Sequence, residues 1–379
     1  MSAFAITAAE IFDGTRSHAD HAVVIEHGRV ADVLPRAQLG AGLRIEQLAD
    51  GMLAPGFVDV QVNGGGGVLL NDAPTTEGVA KICNAHARFG TTSLLPTLIT
   101  DTPEVTARAV AAVKQAMADG MPGCIGLHLE GPFLSPERHG AHDAQLIRQM
   151  SDADVDAILA MAIDTLLVTL SPERVPPRII RRLADAGVIV SLGHSNATYD
   201  QIMAAADAGA RGITHIYNAM SPLTHRAPGV VGAALDSGAL WCGLIADGHH
   251  VHPAAIGIAL RAKRQPGRIF LVTDAMSTLG SDIQEFDLNG RRIRRQDGVL
   301  VLEDGTLAGS DLDMMSAVRF LVQKMKLGLP EALRMAATYP AQFLGRADIG
   351  RIEKGARADL VHIDGGLQAR ATWRAGVRL

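Results

Sequence analysis

The chain has 379 residues, 47% of them hydrophobic and 20% charged, with a formal net charge of −5. That balance excludes a disordered chain. Without a long run of Lys or Arg it also argues against nucleic acid as the main partner.

Three cysteines, Cys83, Cys124 and Cys242, form no CxxC pair and suggest a reducing compartment with no disulfide framework. The stretch MSAFAITAAEIFDGT lacks a basic segment followed by an apolar one. No uninterrupted apolar run reaches membrane-spanning length. The expectation is a cytoplasmic protein with no membrane partner.

Residues 1–53 read as short strands and turns, with a hairpin signal at His27-Gly28 inside AVVIEHGRVADVL. Residues 346–379 have the same texture, so the two ends are expected to form one small β domain, a sandwich flanking the rest. Between them, in residues 54–345, apolar runs alternate with segments of helical spacing that end in Gly. The runs are LAPGFVDVQV, TTSLLPTLI, CIGLHLE, TLLVTL, VIVSLGH, GITHIYN, WCGLIAD and RIFLVTD. Such runs fit parallel strands buried on both faces, and eight of them are the number that closes a (β/α)8 TIM barrel. A doubly wound open sheet competes, but no GxGxxG follows the first run. The segment LNGRRIRRQDGVLVLEDGTLAGS reads as a hairpin inserted after the eighth run, with turns at Asn289-Gly290 and Asp304-Gly305.

In a barrel, chemistry collects at the C-terminal ends of the strands. Those ends carry Glu130, His194, His215, Asp247 and Asp274. A Glu oxygen and two neutral imidazoles are good Zn2+ ligands, and three protein ligands leave a position open, as in catalytic sites. Asp274 is then placed to move a proton. Taken singly, each His also reads as a satisfied polar residue, and Glu130 as a buried partner of an Arg. His128 shares the face of Glu130 by strand alternation. It reads as a ligand, a donor behind the ligands or a core residue, with the donor preferred. His86, in the first helical segment, reads as structural.

The motifs PGFVDVQVNGGGG, HLEGPFLSPERHGAH, GHSNAT, THIYNAMSPLTHRAPG, ADGHHVHP and LVTDAM resemble, in order and spacing, the N-acetylglucosamine-6-phosphate deacetylases of the amidohydrolase superfamily. The resemblance implies metal-dependent release of acetate from N-acetylglucosamine 6-phosphate. It assigns Glu130, His194 and His215 to one divalent metal, with Zn2+ first and Fe2+, Co2+ or Mn2+ acceptable, and Asp274 to acid–base catalysis. It implies that His142 binds the acetyl carbonyl, and that Asn218 and Ala219 contact the sugar phosphate. Arg226 and His250 match phosphate-binding groups supplied across a homodimer interface. Many amidohydrolases carry His-x-His on the first strand, where this chain has Gln61 and Asn63. The chain is therefore similar to the Gln-x-Asn, one-metal type, with the first metal position vacant or filled by water on Gln61. The glycines after Asn63 read as a tight loop and not as a phosphate cradle. Asp311 departs from the family pattern, and its loop is given no substrate role. Alternatives are an N-acetylgalactosamine 6-phosphate or N-acyl-amino-acid deacylase of the same fold, or a metal-free, non-catalytic barrel.

Overall fold

The computed structural model describes residues 3–379. All eight apolar runs become neighbouring strands of one sheet: Phe57–Val62, Thr91–Ile99, Leu127–Glu130, Leu166–Leu170, Ile189–Leu192, Gly212–Ile213, Trp241–Leu244 and Ile269–Leu271. Every pairing between neighbours is parallel. Nearly every strand residue is buried, because the barrel interior lies on one face and the helices on the other. Pro96 has no N–H to give a ladder, and it falls at a register shift between the second and first strands.

The barrel closes just past its last strand. Val62 bridges Ala275 in parallel, and the Asp274 N–H donates to Gln61 O at 2.9 Å. A side chain completes the seam: Asp59, fully buried, accepts from Thr273 N at 3.3 Å and meets Thr273 Oγ1 at 2.6 Å. The seam brings the first and eighth strand ends together, which places Gln61 and Asn63 beside Asp274.

The helical segments fold as expected, over Thr76–Ala87, Pro103–Ala118 and Tyr199–Asp207 among others. Thr75, Thr102 and Thr198 cap these three with side-chain oxygens, satisfying N–H groups that the first turn leaves unpaired.

The termini build two further sheets, one of four strands and one of six, that share a core of Ile6, Ile11, Val23, Ile25, Leu360 and Trp373. The hairpin at His27-Gly28 is present, with both residues at positive φ (51° and 75°) as a type I′ turn requires. The strand Met52–Pro55 straddles the expected division at residues 53 and 54, and runs wholly within the six-stranded sheet.

The insertion is a three-stranded antiparallel sheet, Glu285–Leu288, Arg291–Gln296 and Val299–Val301, one strand more than a hairpin. Its additional turn is Asp297-Gly298, at φ 51° and 81°. Among the described residues no helix is long and apolar enough to cross a membrane, and all three cysteines are free and buried.

Candidate active site

The chain turns sharply at three strand ends. His194, His215 and Asp274 have φ of 46°, 31° and 54°, a region that residues other than glycine seldom adopt. Such strain persists where the surroundings over-determine it, and it gathers at functional sites. Two loops brace these turns: Ser195 N–H donates to Ala219 O at 3.0 Å, and Ser221 N–H to Ser195 O at 3.0 Å. Glu173, from the end of the fourth strand, accepts from Ser195 Oγ at 2.8 Å and from Asn196 N at 2.5 Å.

These turns bring Glu130, His194 and His215 together, all buried, with their ligand atoms within 4.8 Å of one another. His194 Nδ1 lies 2.8 Å from Arg138 O. A carbonyl only accepts, so Nδ1 carries a proton and Nε2 is the ring nitrogen turned to the cluster. Nε2 faces His215 Nε2 at 3.0 Å and Glu130 Oε1 at 3.3 Å, while His215 Nε2 is 3.1 Å from the same oxygen. Burial opposes ionisation of Glu130, but the hydrogen bonds and charges of the two histidines outweigh it and hold the carboxyl well below its usual range. Burial depresses His215, and Glu130 more than reverses that. A crowded, electron-rich N2O donor set of this kind fits a divalent cation.

Asp274 Oδ1 accepts from Asn63 Nδ2 at 2.7 Å and from Gln61 Nε2 at 3.2 Å. The same Gln61 nitrogen donates to Glu130 Oε1 at 3.1 Å. The two amides thus spend their N–H groups on the carboxylates. Burial, then the charge of Glu130, raises the Asp274 carboxyl above its ordinary value.

His142 packs edge-on against His194, ring centroids 4.4 Å apart, with Nε2 at 4.0 Å from Glu130 Oε2. Burial holds it well below the usual histidine range, so the ring is neutral. His128 does not join the cluster. Its Nε2 meets Thr169 Oγ1 at 2.8 Å and its Nδ1 meets Thr97 Oγ1 at 3.3 Å. Burial pushes it down to about 4. Thr169, Thr214 and Ser191 continue that hydroxyl chain, each step 2.7 Å.

Glu130, His142, His194, His215, Asn63, Asn218, Ala219, His250 and Asp274 all line one cavity of about 370 Å3, within the usual range for small-molecule sites. His250, expected to be supplied across a dimer interface, instead lines its own chain's cavity, where Asp247 fixes it, Nδ1 to Oδ2 at 2.6 Å. Arg226 is apart from this cavity, exposed on a loop in which Pro222 to Ala227 are all exposed.

Several lining residues escaped the sequence reading: Arg138, Ile99, Thr306 and Leu307. Arg138 sits in the quoted motif SPERHGAH, whose proximity to His142 was the available signal. Thr306 and Leu307 come from the insertion, which Asp311 pins by accepting from Thr278 Oγ1 at 2.7 Å and from Arg295 at 2.8 Å. The glycine loop after Asn63 is no phosphate cradle. The N–H groups of Gly64, Gly66 and Gly67 donate to the carbonyls of Ala275, Leu279 and Ser277 at 2.9, 2.7 and 2.9 Å. His86 Nε2 meets Gly64 O at 2.9 Å and is structural. Gly66 and Gly67, at φ 63° and 87°, make the turn that a side chain would strain.

A metal-ligand set at the mouth of a parallel barrel, with a carboxylate beside it, defines a metal-dependent hydrolase class. The chain belongs to the amidohydrolase family, whose profile matches residues 52–376, while that of the NagA composite domain matches residues 3–51. It is 46% identical to an N-acetylgalactosamine-6-phosphate deacetylase of Shewanella sp. (strain ANA-3), over 87% of this chain and 84% of that one. It superimposes with a TM-score of 0.96 on N-acetylglucosamine-6-phosphate deacetylase from Pasteurella multocida, at 34% identity and covering 100% of both chains. A Mycobacterium smegmatis N-acetyl-D-glucosamine-6-phosphate deacetylase mutant, in complex with N-acetyl-D-glucosamine-6-phosphate, gives a TM-score of 0.91 at 34% identity, covering 100% of this chain and 99% of that one.

Proposed function

We propose that the protein hydrolyses the acetamide of N-acetylglucosamine 6-phosphate, giving glucosamine 6-phosphate and acetate in amino-sugar catabolism. The observation that carries the reading is one cavity lined by the N2O donor set, Asp274 and His142 together. Glu130, His194 and His215 hold one divalent cation, Zn2+ by preference and Fe2+, Co2+ or Mn2+ by availability. When bound, that cation supplies Lewis acidity to the carbonyl and makes a nearby water more acidic.

The chain's own groups do the rest. His142 donates to the carbonyl oxygen and holds the charge that develops there. Asp274, oriented by Asn63 and Gln61, takes a proton from the attacking water and returns it to the leaving amine. Asn218, Ala219 and His250 hold the sugar phosphate within the same chain's cavity. Arg226, on the same exposed loop as Leu223, serves the cavity of a second copy in a homodimer. Its fork of donors suits a phosphate dianion. The three free, buried thiols accord with a cytoplasmic setting.

A second reading is favoured by the relative at 46% identity, whose name specifies the galactosamine epimer. Steady-state acetate release from both phosphosugars and both free sugars separates the readings. A higher kcat/KM for the glucosamine epimer supports the first, and the reverse order supports the second.

A further inference from the structure

Thr100 follows directly after the second barrel strand and is 1% exposed. Among the described residues its backbone N–H has one partner, His142 Nδ1 at 3.3 Å. Its hydroxyl lies 2.8 Å from the same nitrogen and 3.4 Å from Glu130 O. An amide N–H can only donate, so His142 Nδ1 accepts and carries no proton. The proton of the neutral ring therefore sits on Nε2, the nitrogen 4.0 Å from Glu130 Oε2. The opposite tautomer sets two donors head to head and strands a buried N–H, an arrangement that folded proteins avoid.

The local chain is shaped for this contact. Gly131 has φ 92°, and a Cβ there would fall 2.2 Å from Thr100 Oγ1. A larger residue at 131 would push the hydroxyl away from His142.

We propose that Thr100 is a positioning residue that fixes His142 as the Nε2–H tautomer. His142 then enters the reaction as a hydrogen-bond donor and not as a base. The use of that donor rests on the deacetylase reading, while the tautomer does not.

The test is two-bond 1H–15N correlation on histidine-labelled protein, with the His142 signals assigned by their loss in His142→Gln, alongside kinetics of Thr100→Val and Thr100→Ser. The expected spectrum of the unaltered protein shows Nε2 protonated and Nδ1 bare. Thr100→Val is expected to lower kcat about tenfold, the worth of one hydrogen bond, with little change in KM. Thr100→Ser is expected to restore kcat. A protonated Nδ1 in the unaltered protein overturns the tautomer, and an unchanged kcat in Thr100→Val, which keeps the backbone N–H, or no rescue by Ser overturns the part given to the hydroxyl. The spectrum decides the tautomer even where Thr100→Val does not fold. Protein that shows Nε2–H but releases no acetate contradicts the deacetylase reading and leaves the role of Thr100 standing.

Discussion

Gln61 donates through Nε2 to Asp274 Oδ1 at 3.2 Å, and that nitrogen also reaches Glu130 Oε1 at 3.1 Å. One neutral amide therefore ties a candidate metal ligand to the candidate proton carrier. In Gln61→Leu both N–H donors disappear while the metal-ligand set remains. The expected result is a fall in kcat of roughly 10- to 100-fold, the worth of a hydrogen bond to a charged group, with metal content unchanged. Loss of the metal instead would place Gln61 in the metal site.

Asp274→Asn keeps the shape of the side chain and removes its proton chemistry. A kcat lower by roughly 10²–10⁴-fold is expected, with KM little altered. Metal analysis of the same sample checks that the ligand set is intact. Near-normal turnover removes Asp274 from the mechanism.

Arg226→Ala should raise KM for the phosphorylated sugar and leave the free sugar little changed. Because Arg226 stands outside its own chain's cavity, mixing Arg226→Ala with Asp274→Asn should regain activity on phosphosugar held well below the raised KM, where neither variant alone turns over appreciably. A hybrid dimer then contains one site with both groups. No recovery after subunit exchange contradicts supply by a second copy.

Asp59 links stability to pH. Burial pushes its carboxyl from 3.8 up to about 7, against the hydrogen bonds from Thr273 and Gln61. The folded state therefore favours the neutral acid. This contribution is complete below the unfolded value of 3.8 and is lost as pH rises through about 7. Thr273 Oγ1 donates to Asp59 Oδ2 across their 2.6 Å contact, and Asp59→Asn keeps the shape of that side chain without a titrating group. The Tm of the unaltered protein, relative to Asp59→Asn, should fall between about pH 4 and about pH 7. A difference that is flat or grows with pH contradicts a neutral Asp59.

The barrel was legible because strands buried on both faces read as unbroken apolar runs. Glu130, His194, His215 and Asp274 were legible because they end those runs. What escaped depends on closure of the barrel. The bonds from Gln61 and Asn63 to Asp274 join residues 213 and 211 positions apart, and only the seam between first and eighth strands brings them together. Thr100 left no sequence signal, since one threonine past a strand resembles any other. Thr306 and Leu307 reach the cavity because the insertion adds a strand at Asp297-Gly298 and folds back over the mouth. Arg291 of that insertion donates to Ala141 O, next to His142.

Acetate release measured together with metal content on one preparation tests the central claim most directly. The account predicts about one divalent metal per chain, as three protein ligands imply. It also predicts turnover of N-acetylglucosamine 6-phosphate that chelation abolishes and Zn2+ restores. Full turnover after the metal has been removed, or two tightly bound metals per chain, would contradict it.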